Sequence, residues 1–275
     1  MNAGPAYESH FGLTDRRLPI IFKPYSVAVG SDSDLVHWHE GIEMFFVTGG
    51  SGSILCDSQL LPVAAGDIVV INSNQIHRAM AGREDLVYEY LIIEPELFAL
   101  VDLEPEGLHF KNVVGSDSHL WTCLHRLVEG RGRENAYGWI SQEGLVLQLI
   151  GCLMEDFLLP ETSGTDQEQN RIKPIKRTLA YIQSHYKEPL DVDMLCEYTG
   201  FSKYYFCRLF KQLTGQTVVN YINALRCHEA QRLLLGGSAK IEEAAYGCGY
   251  TNLSHFYRMY RRHIGHLPSE DKIKS

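Results

Sequence analysis

In the first hundred residues the apolar side chains come in short runs rich in β-branched and aromatic residues. YSVAVG, IEMFFVTG, GSILCD, DIVVIN and LVYEYLIIE are separated by Gly, Asp, Asn and Ser, the punctuation of closely spaced strands. Such a series predicts a small barrel or sandwich. From about residue 117 the period changes: Leu120, Leu124, Leu127 and Val128 in SHLWTCLHRLVEG recur at helical spacing, and WISQEGLVLQLIGCLMEDFLL follows as a more apolar helix. This helical pair, over roughly 117–158, is placed to cover the barrel or to meet a second subunit. PETSGTDQEQNR (160–171) is polar and aperiodic and reads as a linker. After about Lys173 the pattern is helical throughout, with breaks at glycines.

The helical half repeats itself. GFSKYYFCRLFKQLTG (200–215) matches GYTNLSHFYRMYRRHIG (249–265): Gly200 with Gly249, Phe201 with Tyr250 and, after a one-residue insertion, Phe206, Arg208, Phe210, Lys211 and Gly215 with Phe256, Arg258, Tyr260, Arg261 and Gly265. Each copy follows a short amphipathic stretch, DVDMLCEYT or AKIEEAAYGC, so the duplicated unit is a helix–turn–helix with a spacing of about 50 residues. In the first unit Asp191 and Ser202 are placed to cap its two helices and Gly200 to make the turn. Phe206, Leu209, Phe210 and Leu213 share the core face, and Tyr204, Arg208 and Lys211, with Cys207 at the margin, lie opposite. In the second, Phe256 and Tyr260 face inward while Ser254, Arg258 and Arg261 face outward beside Tyr257. Between the units VVNYINALRCHEAQRLLL predicts a helix of about 18 residues, near 27 Å long. That separation suits two recognition helices in successive major grooves.

Charge sharpens the division. Residues 1–172 hold ten Lys and Arg against 25 Asp and Glu, a net −15, whereas residues 173–275 hold 15 against nine, a net +6. Only the second half is expected to meet nucleic acid. Seven scattered cysteines without a C-x-x-C pair argue against a disulfide framework and for reduced thiols in a cytoplasmic setting. No membrane-length apolar run occurs, so no transmembrane helix is expected, and MNAGPAYESHFGLTDRR lacks the basic-then-apolar pattern expected of a secretory signal.

The run from Gly200 to Ser269 resembles the AraC/XylS family of bacterial transcription regulators. The resemblance is carried by Gly-Phe-Ser, Arg-x-Phe-Lys, Gly215, Arg226, Ala230, Leu233-Leu234, Gly249-Tyr250, Phe256, Gly265 and Pro268-Ser269. It implies that Tyr204, Cys207 and Arg208 contact DNA from the first recognition helix, and Leu253, Ser254, Tyr257 and Arg258 from the second. Ser202, Lys203 and Asn252 at the helix starts, with Lys211 and Arg261, complete the candidate DNA-binding set. Leu253 suits a thymine methyl. The ending PSEDKIKS departs from the family in lacking its usual aromatic and arginine.

HWHEGIEMFFVTGG (37–50) adds a second chemistry. On a strand, His37 and His39 point to one side, with Glu43 four residues on. The pattern His-x-His-x3-Glu-x6-Gly looks like the first cupin motif, and AAGDIVVINSNQIHRAM, with Gly66-Asp67 and His77, resembles the second. The resemblance implies that His37, His39, Glu43 and His77 line a barrel interior that receives a small effector, with a sugar as the family-weighted candidate. The same four residues are suitable ligands for a transition metal, which would make the chain a metal sensor or a metal-dependent cupin enzyme instead. The reading adopted is effector-lining, with no metal or cofactor assigned. Trp38 and Met44 alternate to the opposite face as packing residues. RRLPIIFKPYS is expected to form an arm over the barrel mouth, bringing Arg16, Arg17 and Tyr25 near a ligand.

The chain carries neither G-x-S-x-G nor a P-loop, and TGGSGS sits between two β-runs as a hairpin turn. The expected protein is therefore not an enzyme. It is an α+β chain of two domains: a cupin-like β-barrel with a helical pair over 1–159, a linker at 160–172, and an all-α domain with two helix–turn–helix units over 173–275. Its expected partners are double-stranded DNA, a small sugar-like effector and a second copy of itself, without a membrane.

Overall fold

The structure, a computed structural model, describes residues 18–29, 35–131, 137–160, 166–237 and 239–272. Seven strands come first: β1 (Ile20–Val27), β2 (Ile42–Gly49), β3 (Ser51–Cys56), β4 (Gln59–Ala64), β5 (Ile68–Ile71), β6 (His77–Ala81) and β7 (Leu86–Ile93). A short helix α1 (Pro95–Ala99) and strand β8 (Val113–Gly115) lead to α2 (Ser118–Gly130) and α3 (Gly138–Cys152), which runs into a π-turn at Leu153–Phe157. One sheet has the order β1-β7-β2-β5-β8 and the other β4-β3-β6.

Alternation along β2 explains the layering. Ile42, Met44 and Phe46 face Leu120, Leu124 and Leu127 of α2 and Leu145, Val146, Leu149 and Ile150 of α3 in one buried cluster. Phe45 and Val47 face Ile54, Val63, Ala79 and Tyr88 in the space between the sheets. The five-stranded sheet thus lies between the smaller sheet and the helical pair, the three-layer arrangement that buries both of its faces.

Two expectations change here. The stretch read as an arm is strand from Ile20, paired antiparallel with β7 from Ile20↔Ile93 to Val27↔Leu86. Ile20 and Phe22 turn to the cluster that α2 and α3 cover, Val27 lies in the core between the sheets, and Tyr25 packs 5.7 Å from Tyr88, ring to ring. Arg16 and Arg17 lie outside the described residues. The stretch read as a linker is helical from Asp166, because α4 spans Asp166–His185. Its opening residues include the good helix formers Gln167, Glu168, Gln169 and Arg171 but no apolar stripe, and only from Ile172, Ile175, Leu179 and Ile182 does the helix enter a core.

The remaining helices are α5 (Val192–Thr199), α6 (Lys203–Thr214), α7 (Val218–Leu235), α8 (Ile241–Gly247), α9 (Leu253–Ile264) and α10 (Pro268–Lys272). The first unit is α5–α6 and the second α8–α9, joined by α7 of 18 residues, the length the sequence predicts. Asp191 caps α5 through the Met194 amide, and Ser202 caps α6 through that of Tyr205. Gly200 makes the turn between them at φ 72°, a left-handed conformation that suits glycine. Each unit has its own core: Phe206, Leu209, Phe210 and Leu213 with α4 and α7 in the first, and Phe256, Tyr260, Ala244 and Tyr250 in the second.

A polar lock holds the C-terminal helix. Asp271 is 2% exposed and accepts hydrogen bonds from Tyr260 Oη (2.5 Å), His266 Nε2 (2.8 Å) and Gln231 Nε2 (3.2 Å). It ties α10 to α7 and α9. Among the described residues no helix is long and apolar enough to cross a membrane, and the seven cysteines are free thiols.

Candidate functional site

His37, His39, Glu43 and His77 come together as expected. His37 N–H donates to His77 O at 3.2 Å and His77 N–H to His37 O at 3.0 Å, pairing the two short segments that carry the histidines. Glu43 enters from the start of β2. One donor atom from each of the four lies within 4.8 Å of the others, and His39, Glu43 and His77 are almost wholly buried, at 2%, 3% and 0% exposure.

The hydrogen bonds around the rings fix what the site presents. Nδ1 of His37 faces Leu35 O (3.0 Å), Nδ1 of His39 faces Gly41 O (3.0 Å) and Nδ1 of His77 faces Gln75 O (2.9 Å). A carbonyl only accepts, so each Nδ1 carries a proton, and it is in the neutral form of a ring that Nε2 offers a lone pair. Yet Glu43 Oε2 lies 3.2 Å from His39 Nε2 and 2.8 Å from His77 Nε2. A neutral imidazole cannot donate at both ends, and the His77 Nε2 contact lies off the line of a hydrogen bond.

Burial, with His37 adding to it, lowers the His77 pKa to about 4, against the opposing pull of Glu43. Charging that ring is therefore not the resolution near neutral pH. Burial raises the Glu43 pKa, but the imidazoles of His39 and His77 outweigh it and hold the carboxyl well below its usual range. Three imidazole nitrogens and a carboxylate within 4.8 Å of one another are the donor types of a divalent transition metal, and the backbone carbonyls behind each ring supply the outer contacts that fix such ligands. The residues fit a metal.

The second site is the outer face of the helical half. Tyr204 (77% exposed), Cys207, Arg208 and Lys211 project from α6, and Ser254, Tyr257, Arg258 and Arg261 from α9. The Arg208 guanidinium sits 5.8 Å from the rings of both Tyr204 and Tyr205, which restrains a long side chain before any partner arrives. Four predicted contacts are placed differently from the rest. Ser202 and Asn252 turn their side chains to the Tyr205 and His255 amides as caps. Lys203 pairs with Asp193 at 2.7 Å, and Leu253 is half-buried against the second core. Arg262, absent from the predicted set, joins Tyr257, Arg258, Arg261 and Leu267 around a groove of about 470 Å³. Its spacing of four from Arg258 was the signal that could have found it.

A helix-turn-helix domain model matches residues 195–272 and a cupin domain model residues 25–93. The transcriptional activator RhaS of Escherichia coli O139:H28 is 23% identical over 244 residues, which is 85% of this chain and 86% of that protein. RhaS of Escherichia fergusonii is 24% identical with the same coverage. Among solved structures, ToxT from Vibrio cholerae aligns over 93% of this chain and 98% of its own at 14% identity, with a TM-score of 0.49.

Proposed function

We propose, from the premise that this chain belongs to the AraC/XylS family of DNA-binding transcription regulators, that α6 and α9 read two half-elements of one operator while the cupin-like domain receives a small effector. The observation that carries the reading is the pair of capped, outward-facing helices with matched Arg208 and Arg258. Phosphate contacts fall to Lys211, Arg261 and Arg262, and base edges to Tyr204, Cys207, Arg208, Ser254, Tyr257 and Arg258. Domain limits of 1–159 for the effector half and 173–275 for the DNA-binding half, with α4 reaching back into the connection, belong to the same reading. So does a homodimer formed through α2 and α3. The effector enters at the histidine end of the barrel, with a sugar as the first class to screen. The test is selection of duplexes from a random library by the full-length protein. A bipartite site with half-elements about one helical turn apart is expected, and failure to enrich any site would overturn the reading.

The clustered donor atoms favour a second reading within the first, in which His37, His39, Glu43 and His77 hold a divalent metal that takes part in effector recognition. A metal there supplies a Lewis-acidic anchor for a ligand oxygen. Plasma mass spectrometry on tag-free protein should find about one equivalent per chain, lost in His37→Ala/His39→Ala. Metal far below one equivalent, with the double variant folded, would leave the histidines as pocket walls.

A further inference from the structure

The segments that carry the histidines have two faces. Along 36–39, His37 and His39 turn into the cluster, while Val36 and Trp38 turn the other way. Along 76–78, His77 turns in, while Ile76 and Arg78 turn out. Val36, Trp38 and Ile76, with Leu55, are buried in one cluster with Ile175 and Leu179 of α4, Phe206, Leu209 and Leu213 of α6, and Tyr221 of α7. The first helix–turn–helix unit and the wall of the histidine site therefore share a core. Arg78 is 7% exposed, and the turn after α6 lies on this wall: a Cβ at Gly215 would stand 3.3 Å from Leu55 Cδ2 and 3.5 Å from Arg78 Nη2. The loop between β5 and β6 closes a second link. Asn74 N–H donates to His39 O at 2.8 Å, Lys176 Nζ of α4 donates to Asn74 O, and the same ammonium stands 5.8 Å from the centre of the Trp38 ring. The core of the second unit draws no barrel residue among the described residues.

We propose that the first helix–turn–helix unit reads the state of the histidine cluster through Trp38 and the Asn74–Lys176 contact, so that a metal at the cluster and DNA on α6 change each other's affinity. The proposal rests on the metal reading above. Fixing His37 and His39 on a common ion fixes the backbone between them, and Trp38 is part of that backbone segment. Its indole can then shift against α4 and α6 only with the whole segment, because close-packed contacts of this kind do not deform gradually. The second unit, joined through α7, responds only through the first.

The experiment uses the full chain, zinc(II) as the probe and a duplex selected by the protein itself. Zinc binding is followed by calorimetry and duplex binding by fluorescence anisotropy. Saturating zinc should change the duplex Kd about fivefold or more, and saturating duplex should change the zinc Kd by the same factor, since coupling is reciprocal. Trp38→Ala should keep one equivalent of zinc and bring both factors close to one. Should that variant fail to fold, Lys176→Met, which keeps an apolar stem of similar length and removes the ammonium, carries the same expectation. Zinc bound at one equivalent with no change in duplex affinity overturns the coupling alone, as does full coupling in a folded Trp38→Ala protein. Zinc failing to bind at all overturns the metal reading and the coupling with it, and the calorimetry separates the two failures.

Discussion

Arg208 and Arg258 occupy equivalent positions in α6 and α9, both exposed, and neither is drawn into a buried ion pair that would have to break on binding. If each reads a guanine bidentately, Arg208→Ala and Arg258→Ala should each weaken binding to the selected duplex by about 1–3 kcal/mol and relax preference at one base position. Anisotropy titrations against single-base variants of the duplex measure both effects, and unchanged affinity in both proteins would remove these residues as readers. Lys211→Ala should instead weaken all duplexes alike and reduce the slope of log K against log salt by about one. These outward positions were legible because a period of 3.6 separates them from Phe206 and Phe256 without any knowledge of tertiary structure. Trp38 was not. Alternation places it opposite His37 and His39, but only the fold shows that its neighbour there is another domain rather than the barrel's own core. The contacts of the three Nδ1 atoms with the carbonyls of Leu35, Gly41 and Gln75 were equally hidden.

Elements with strong local signals formed where the sequence put them: α6 with its Ser202 cap, α9, α7 at 18 residues, and β2 with its alternating faces. Those that differ take their structure from partners. β4 contains Pro62, which is tolerated because β4 is the outer strand of its sheet, and β6, HRAMA, has few β-formers and is held by pairing with β3. α10 is the clearest case, five residues stabilised by what Asp271 accepts. Burial raises the pKa of that carboxyl, but the hydrogen bonds from Tyr260, His266 and Gln231 outweigh it and leave the folded-state pKa below the ordinary value. A depressed pKa contributes stability that is present above the unfolded value of roughly 4 and is lost as pH falls through the folded one. Asp271→Ala should cost about 1–3 kcal/mol at neutral pH by leaving buried donors unpaired. The wild-type advantage over the variant should then shrink as pH drops below about 4. Hydrogen exchange of the α9 and α10 amides reads this locally. Equal protection in both proteins at pH 7 would show that Asp271 does not hold the element.

At the scale of the molecule, an acidic half of net −15 and a basic half of net +6 are joined by a core that, among the described residues, includes the first DNA-binding unit and not the second. Two copies are needed if the operator is to be read twice, and the surface proposed for that is the outer side of the helical pair. The inner sides of α2 and α3 are used up against the five-stranded sheet through Leu120, Leu124, Leu145 and Leu149. Outside, Ile140 is 52% exposed near the start of α3 and Val128 37% exposed near the end of α2. They are among the exposed apolar positions on these helices, with Tyr137 at the start of α3 (71% exposed). Gly144 and Gly151 follow Ile140 down α3, and a Cβ at either would meet nothing within 4 Å, so that side of the helix is open to close approach by another backbone. Ile140→Glu places a charge where a second α3 would pack and removes nothing from the sheet-facing core. It should therefore leave the melting temperature of dilute protein nearly unchanged and shift sedimentation toward monomer. Affinity for a single bipartite site should stay the same, while affinity for a DNA carrying two such sites falls by the factor that linked binding supplies, on the order of a hundredfold or more. A dimer that survives Ile140→Glu intact would move the contact away from this face, and the acidic half would then need another surface to bring two basic halves onto one DNA.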